Sequence, residues 1–338
     1  MKIDVIGAGG IGVAMAVALA DAGLDITIIE NNSLKLTAMQ RDGVAVSGHG
    51  HRKIPVTTFH DWHPDSEAII LLCTKTYNNG AILKRLLDSN HPKMRLIPVQ
   101  NGYDRELENY GHAGEAIASF VSECDRDRAV TTITRPGDLH IGARRELMPG
   151  EQNEFHRTID ELVTALASTN LFSTHKVADI RPFKATKLMY NAAISPLAAS
   201  AGVDNAELLA NPLARRHFFG LLLENHAILK QAGLAFAKIG PFHPDTVVRI
   251  LHTPGLATLL GRFFKPSLRG TYCSMAPDIG SEHTEIDAYN GHLVKLAGDF
   301  PCPLNRAAVQ LIKQMTEQRQ SPGPDQLNVF NQLLQEQA

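Results

Sequence analysis

The sequence predicts an α/β chain in which a doubly wound, mostly parallel sheet is followed by an all-helical domain. Three observations carry this expectation. A glycine-rich turn sits between a β-run and a helical run at the amino terminus. Short apolar β-runs then alternate with helical stretches as far as about residue 178. Beyond Asp179 the β-signals nearly vanish and helical periodicity takes over. The expected domains are therefore 1–178 and 179–338, with Ala178 to Pro182 as the junction.

The first β-run is Lys2-Ile-Asp-Val-Ile6, and it feeds Gly7-Ala8-Gly9-Gly10-Ile11-Gly12. This G-x-G-x-x-G turn opens an alanine-rich helix that closes at Gly23. A second β-run, Asp25-Ile-Thr-Ile-Ile29, ends at Glu30. That order is what a Rossmann-type dinucleotide site requires. Gly7 lets the chain turn sharply, Gly9 lets backbone approach a pyrophosphate, and Gly12 lets helix pack on strand. The helix N-terminus offers N–H groups and a partial positive charge to the phosphates. An acid at the end of the second strand accepts the ribose hydroxyls of NAD and repels the extra phosphate of NADP. Glu30 therefore favours NAD(H). NADP(H) is the alternative, for Asn31, Asn32, Lys35 and Arg41 stand close enough in sequence to meet a phosphate.

Further strands are expected at Glu67 to Cys73, ending at Thr74-Lys75, and at Arg95 to Gln100, ending at Asn101-Gly102. Glu115 to Val121 is a third. Helices around 78–90 and 103–110 separate them. Ala129 to Thr134 and Leu139 to Gly142 read as two strands around the turn Arg135-Pro-Gly-Asp138. A polar helix (Glu151 to Ser168) and a strand near Leu171 to Val177 finish the first domain. Helical patterns then cover about 183–201, 205–233, 243–262, 281–299 and 303–319, and the last dozen residues read as amphipathic or frayed.

A length of 338 residues allows two domains with ample core. Net charge of −2 gives no basic field for nucleic acid or an anionic membrane, so an anionic ligand must be held by local groups. No apolar run approaches a membrane span, and the glycine turn and Asp4 interrupt what would otherwise resemble a leader. Cys73, Cys124, Cys273 and Cys302 are scattered with no paired spacing, which fits a reducing cytoplasm and argues against disulfides. Gly48-His49-Gly-His51 and His60-x-x-His63 lack acid or cysteine partners at ligand spacing, so no metal is expected.

Lys75 and Asn101 follow successive strands, where open α/β sheets bind their ligands. The second domain opens with Phe183-Lys-Ala-Thr-Lys187-Leu-Met-Tyr-Asn191-Ala-Ala-Ile-Ser195-Pro-Leu. Lys187, Asn191 and Ser195 are spaced i, i+4, i+8 and are expected on one helix face. From periodicity alone Lys187 reads as a solvated lysine beside Lys184. A third group runs Cys273-Ser274-Met275 through His283-Thr284-Glu285-Ile-Asp287-Ala-Tyr-Asn290-Gly291.

Taken with the glycine turn, Cys-Thr-Lys75, Gln-Asn101-Gly and Arg135-Pro-Gly-Asp-Leu-His-Ile-Gly142, these segments resemble the ketopantoate reductase (2-dehydropantoate 2-reductase) family from residue 1 to about 315. The resemblance implies a helical second domain like the C-terminal domain of 6-phosphogluconate dehydrogenase. It also implies NAD(P)H-dependent reduction of a 2-oxo acid to a 2-hydroxy acid, with ketopantoate as first substrate and pantothenate biosynthesis as the setting. Lys187 matches the family's general acid and Asn191 a substrate-binding asparagine. Ser274 matches the serine that binds the substrate carboxylate, and Glu285 the acid that anchors the substrate hydroxyl or orients the lysine. Lys75 and Asn101 match residues at the nicotinamide end of the site, and a homodimer is the assembly implied. The chain departs from the family pattern at Ser195, where a second asparagine is common, and at Ala185, where an aromatic stands. It departs again at Glu30, where a basic residue for NADPH is more frequent. Two other readings compete: an opine-type dehydrogenase reducing an imine, and a non-catalytic dinucleotide sensor. The sensor has no need of Lys187, Ser274 and Glu285 together.

Overall fold

The computed structural model describes residues 1–253, 256 and 268–336. It divides into two compact units, Met1–Gln100 with Asp104–Ile180, and Asn101–Tyr103 with Arg181–Ala338.

In the first unit β1 (Lys2–Ile6), α1 (Gly10–Asp21), β2 (Asp25–Ile29) and α2 (Ser33–Asp42) come first, then the short β3 (Ala45–Val46) and β4 (Val56–Thr57). They are followed by β5 (Ile69–Leu72), α3 (Asn79–Asp88), β6 (Leu96–Pro98) and α4 (Arg105–Tyr110). Then come β7 (Gly114–Ala118), β8 (Val121–Cys124), β9 (Val130–Arg135), β10 (Asp138–Ala143), α5 (Pro149–Ala167) and β11 (Ser173–Asp179). The main sheet has the order β4-β2-β1-β5-β6, and every pair in it is parallel. Both faces are covered, as a parallel sheet requires. Ile3, Val5, Ile28 and Leu71 face α1 and α5, while Ile6, Ile29, Ile70 and Leu72 face α3 and α4. α1 is apolar all round and buried from Gly12 to Leu19, a helix enclosed within its unit. Pro98 sits in the edge strand β6, where a missing N–H costs no ladder bond.

The register places the site. Ile6 pairs with both Ile29 and Leu72, so β1, β2 and β5 stop level with one another. Gly7, Glu30 and Cys73 therefore leave the sheet side by side.

Two smaller sheets, β11-β10-β7 and β3-β9-β8, complete the unit. The two strands expected around the turn Arg135-Pro-Gly-Asp138 are β9 and β10, and they do not pair with each other. Each finds an antiparallel partner before it in the chain, β8 for β9 and β7 for β10. The helix α2 had no legible apolar stripe, because it buries only Lys35, Ala38 and Met39. Its start is set instead by the Asn32 side chain, which accepts from the Lys35 N–H at 3.1 Å.

At the start of α5 the Met148 N–H donates to the Glu151 carboxylate, which Arg145 also grips at 2.7 and 2.8 Å. The Arg145 hydrogen bonds, helped by the Met148 N–H, hold the Glu151 carboxyl down at about 2. A depressed acid stabilises the fold above its ordinary range, and that contribution fades as pH falls toward the folded value. Glu151→Gln should thus lower the melting temperature at neutral pH, and the difference should shrink progressively as pH falls from about 4.5 to about 2. A constant difference across that range would refute the pairing.

The second unit contains α6 (Arg181–Ala201), α7 (Asn205–Ala210), α8 (Pro212–Gln231) and α9 (Pro244–His252). It continues with α10 (Asn290–Ala297), α11 (Pro303–Glu317) and α12 (Gln326–Glu336). The helix expected over 205–233 breaks at Asn211, whose side chain caps Leu213 and Ala214 while Pro212 starts the next helix. The pattern over 243–262 is a helix to His252, and positions 254–255 and 257–262 lie outside the described residues. The stretch 281–299 is shorter than expected as a helix: a 3₁₀ turn at Ile286–Ala288 precedes α10. Among the described residues no helix is long and apolar enough to cross a membrane.

Pro196 lies inside α6. It has no N–H to give the carbonyl four residues back, that of Ala192. The Asn290 side chain supplies the missing donor, at 2.8 Å. Asn290 in turn meets Asn305 at 2.9 Å, and Asn305 bonds Asn225 and Glu224 at 2.8 Å each. A fully buried amide network thus joins α6, α8, α10 and α11.

Candidate active site

The glycine turn has the geometry that a pyrophosphate needs. Gly7 has φ +100°, and a Cβ there would stand 2.9 Å from the Thr74 methyl. A Cβ on Gly12 would fall 2.0 Å from the Gly7 carbonyl oxygen, so helix and turn touch through glycine alone. Gly9 has nothing within 4 Å of its Cβ position, leaving the approach open. The first turn of α1, which includes Gly10, Ile11 and Gly12, has no side-chain cap and no acid. An uncapped helix N-terminus above an open glycine fits a dinucleotide's phosphates.

Glu30 is held by the turn itself. One carboxylate oxygen accepts from the Ala8 N–H at 3.0 Å, and the other from Asn31 and Asn32 at 2.8 and 2.9 Å. The acid is thereby fixed beside the phosphate loop. Lys35 does not serve as a free phosphate ligand: its ammonium is buried and donates to the Ala8 carbonyl at 3.0 Å. Arg41 is turned onto Asp42 at the surface.

Lys75 follows β5 at the head of a 3₁₀ turn over Thr76–Asn78. Two buried amides brace that turn. The Gln100 amide donates to the Thr74 carbonyl and to Asn79, each at 2.8 Å, and Asn79 donates to Gln100 and to Asp104. Sequence reading missed this clamp, since a polar pair so far apart in the chain gives no periodic signal.

In the second unit, Lys187 and Asn191 are partly exposed on α6, in line with Tyr190 and Ile194. Ser195 departs from the shared face expected of it and is only 2% exposed. Eight residues make about 2.2 turns, which rotates Ser195 by roughly 80° from Lys187. The exposed stripe runs through Ile194 instead. At this point the Ser195 carbonyl accepts from the Cys273 thiol at 3.6 Å, tying the Ser274 segment to α6.

Ser274 and Glu285 come together through a residue that sequence reading did not single out. The Tyr289 hydroxyl lies 3.0 Å from the Ser274 hydroxyl and donates to the Glu285 carboxylate at 3.3 Å. Tyr289 is fully buried and Glu285 is 3% exposed. Burial, then the neighbouring Glu285 charge, pushes the Tyr289 phenol well above its ordinary range, so it remains a neutral donor. Its only signal in the sequence was the i, i+4 spacing from Glu285. Asn101–Tyr103 packs on the same turn: the Tyr103 N–H donates to the Ala288 carbonyl at 2.9 Å. Gly102, at φ +77°, lies so close that a Cβ would sit 2.7 Å from the Tyr289 ring. Asn101 is carried into this unit by that contact, although it follows β6 of the other.

Two family models match the chain, described as Ketopantoate reductase PanE/ApbA over residues 3–145 and Ketopantoate reductase PanE/ApbA C terminal over 179–316. Among curated proteins, the 2-dehydropantoate 2-reductase of Pyrococcus horikoshii is 26% identical over 93% of this chain and 97% of its own. The 2-dehydropantoate 2-reductase of Aquifex aeolicus is 24% identical over 93% and 96%. Solved structures share the fold. D-mandelate dehydrogenase with NADH and anilino(oxo)acetate superposes with TM-score 0.74 at 17% identity, covering 94% of this chain and 99% of that one. A family ketopantoate reductase from Ralstonia eutropha gives 0.71 at 17% over 95% and 100%. The dimeric ketopantoate reductase of Staphylococcus aureus gives 0.67 at 17% over 94% and 100%.

Proposed function

Because the chain belongs to the ketopantoate reductase family, a family of nicotinamide-dependent oxidoreductases, we propose that it reduces ketopantoate, or a closely similar 2-oxo acid, to the 2-hydroxy acid. The reading is supported above all by the hydrogen-bonded set Ser274–Tyr289–Glu285, built in the unit that also carries Lys187 and Asn191. A buried carboxylate joined through a neutral phenol to a serine is an expensive arrangement to maintain without a polar ligand to position.

When bound, the reduced nicotinamide supplies a hydride to the carbonyl carbon. Lys187 holds the proton that the carbonyl oxygen takes as its π electrons move onto it, and the ammonium stabilises that developing charge. Asn191 orients the substrate by an amide contact, and Ser274 binds its carboxylate. Glu285, kept in place by Tyr289, anchors the substrate hydroxyl or orients Lys187. Ser195 contributes as a buried wall beside Asn191. Lys75 and Asn101 act at the nicotinamide end. Gly7, Ala8, Gly9, Gly10, Ile11 and Gly12 cradle the pyrophosphate. A homodimer, as in the Staphylococcus aureus protein, is the assembly we propose, and pantothenate formation is the setting the family name suggests. Oxidation of NADH and NADPH with ketopantoate and a panel of branched 2-oxo acids tests the reading. Binding of NADH without turnover of any of them would establish a sensor instead.

Glu30 gives the cofactor preference. Fixed at the loop by three backbone N–H groups, it meets the ribose hydroxyls of NADH and repels a 2′-phosphate. The expected result is a higher kcat/KM with NADH than with NADPH, and a shift toward NADPH in Glu30→Arg. A wild-type preference for NADPH would overturn it.

A further inference from the structure

We propose that Asp138, His140 and His175 form a binding site for a divalent transition-metal ion, Zn²⁺ foremost, on one face of the β11-β10-β7 sheet. The site lies wholly within the first unit and has no part in the hydride chemistry proposed above. Strand alternation assembles it. In β10 Leu139 and Ile141 point into the core that α5 covers, so Asp138 and His140 share the opposite face. The parallel register of β10 with β11 sets His140 directly against His175. The two imidazole rings stack with centroids 5.2 Å apart. His175 Nε2 lies 3.4 Å from the Asp138 carboxylate, and one ligand atom from each of the three falls within 4.8 Å of the others.

These distances suit a small cation. Zinc binds imidazole nitrogen and carboxylate oxygen at about 2.0–2.2 Å, so ligand atoms around a tetrahedral ion stand roughly 3.4 Å apart. The His175–Asp138 spacing is already of that size, and a modest side-chain rotation brings in His140. Two nitrogens and one oxygen select zinc, nickel or copper over magnesium or calcium, which prefer all-oxygen shells. His140 is buried while His175 and Asp138 are half open to solvent, so water has room to complete the shell. The bound ion would clamp β10 to β11 just before their register slips at Gly142. The expectation of no metal rested on His49, His51, His60 and His63, none of which belongs to this cluster. The ligands were invisible in sequence because Asp138-x-His140 meets its third member only through the strand pairing.

The test uses the full chain stripped with EDTA and titrated with Zn²⁺ alone, followed by calorimetry and by thermal melting. One equivalent should bind and raise the melting temperature. His175→Gln and Asp138→Asn, both at half-exposed positions, should each weaken binding about tenfold or more and remove the thermal shift. The double change His49→Gln/His51→Gln should leave both intact. No zinc binding, or binding that both site variants leave unchanged, would overturn the proposal. So would loss of binding in the His49/His51 control alone.

Discussion

Replacing Lys187 by alanine is expected to lower kcat for 2-oxo acid reduction by about 10²–10⁴-fold, the usual cost of removing a positioned general acid. Dinucleotide affinity should stay at the wild-type level. The glycine turn and Glu30 belong to the other unit, and Lys187 is a partly exposed residue of α6. Separating the two quantities is what makes the test sharp. Fluorescence titration with NADH reads binding, and single-turnover reduction of the preferred 2-oxo acid reads chemistry. Lys184 supplies the control question, because it is the neighbouring lysine that periodicity alone could not tell from Lys187. The structure distinguishes them by burial: Lys184 is 1% exposed and lies 4.8 Å from the Tyr103 ring centre, a packed position. An alanine variant at 187 with near wild-type kcat would return Lys187 to the solvated surface and end the assignment.

The second large effect is expected at Gly12. A Cβ there would lie 2.0 Å from the Gly7 carbonyl oxygen, far inside any real contact, and the obstacle is backbone that cannot rotate away. Either α1 lifts from the turn or the turn itself shifts. A displacement of roughly 1 Å at a bound reactant costs about 10²-fold in rate, so Gly12→Ala should lower kcat/KM by that order. Overpacking of this kind also costs about 1–3 kcal/mol of stability, so a lower melting temperature should accompany it. Unchanged NADH affinity in a folded Gly12→Ala protein would show that the turn does not hold the dinucleotide.

How far the sequence revealed this protein depended on how local each signal was. The glycine turn, its flanking strands and Glu30 lie within thirty residues and follow fixed steric rules, so they read directly. The helical second unit was legible from periodicity, with its breaks at Asn211 and Tyr289 left unseen. Those breaks depend on caps and a 3₁₀ turn, and neither alters the apolar pattern enough to announce itself. The pairing partners of β9 and β10 were hidden for a different reason. A strand's neighbours are fixed by the whole sheet, and a connecting turn of ordinary composition fits a hairpin or a crossing between sheets equally well. Among site residues, Lys187, Asn191, Ser274 and Glu285 came from family resemblance. Tyr289 and the Gln100–Asn79 clamp came only from three-dimensional contacts.

The bond from Asn290 to the Ala192 carbonyl has a consequence for the order in which the chain is made. In most helices each interior carbonyl finds its donor four residues on, within the helix itself. In α6 one cannot, because Pro196 withholds one donor and the substitute lies 98 positions downstream. Until Asn290 has been translated, the segment bearing Lys187 carries an unmatched carbonyl, whose burial costs about 1–3 kcal/mol. The nascent helix therefore keeps water at that turn and reaches its final form late, whereas the glycine turn and its sheet are complete long before. Vectorial synthesis thus finishes the unit that carries the glycine turn first and holds back the helix that bears Lys187.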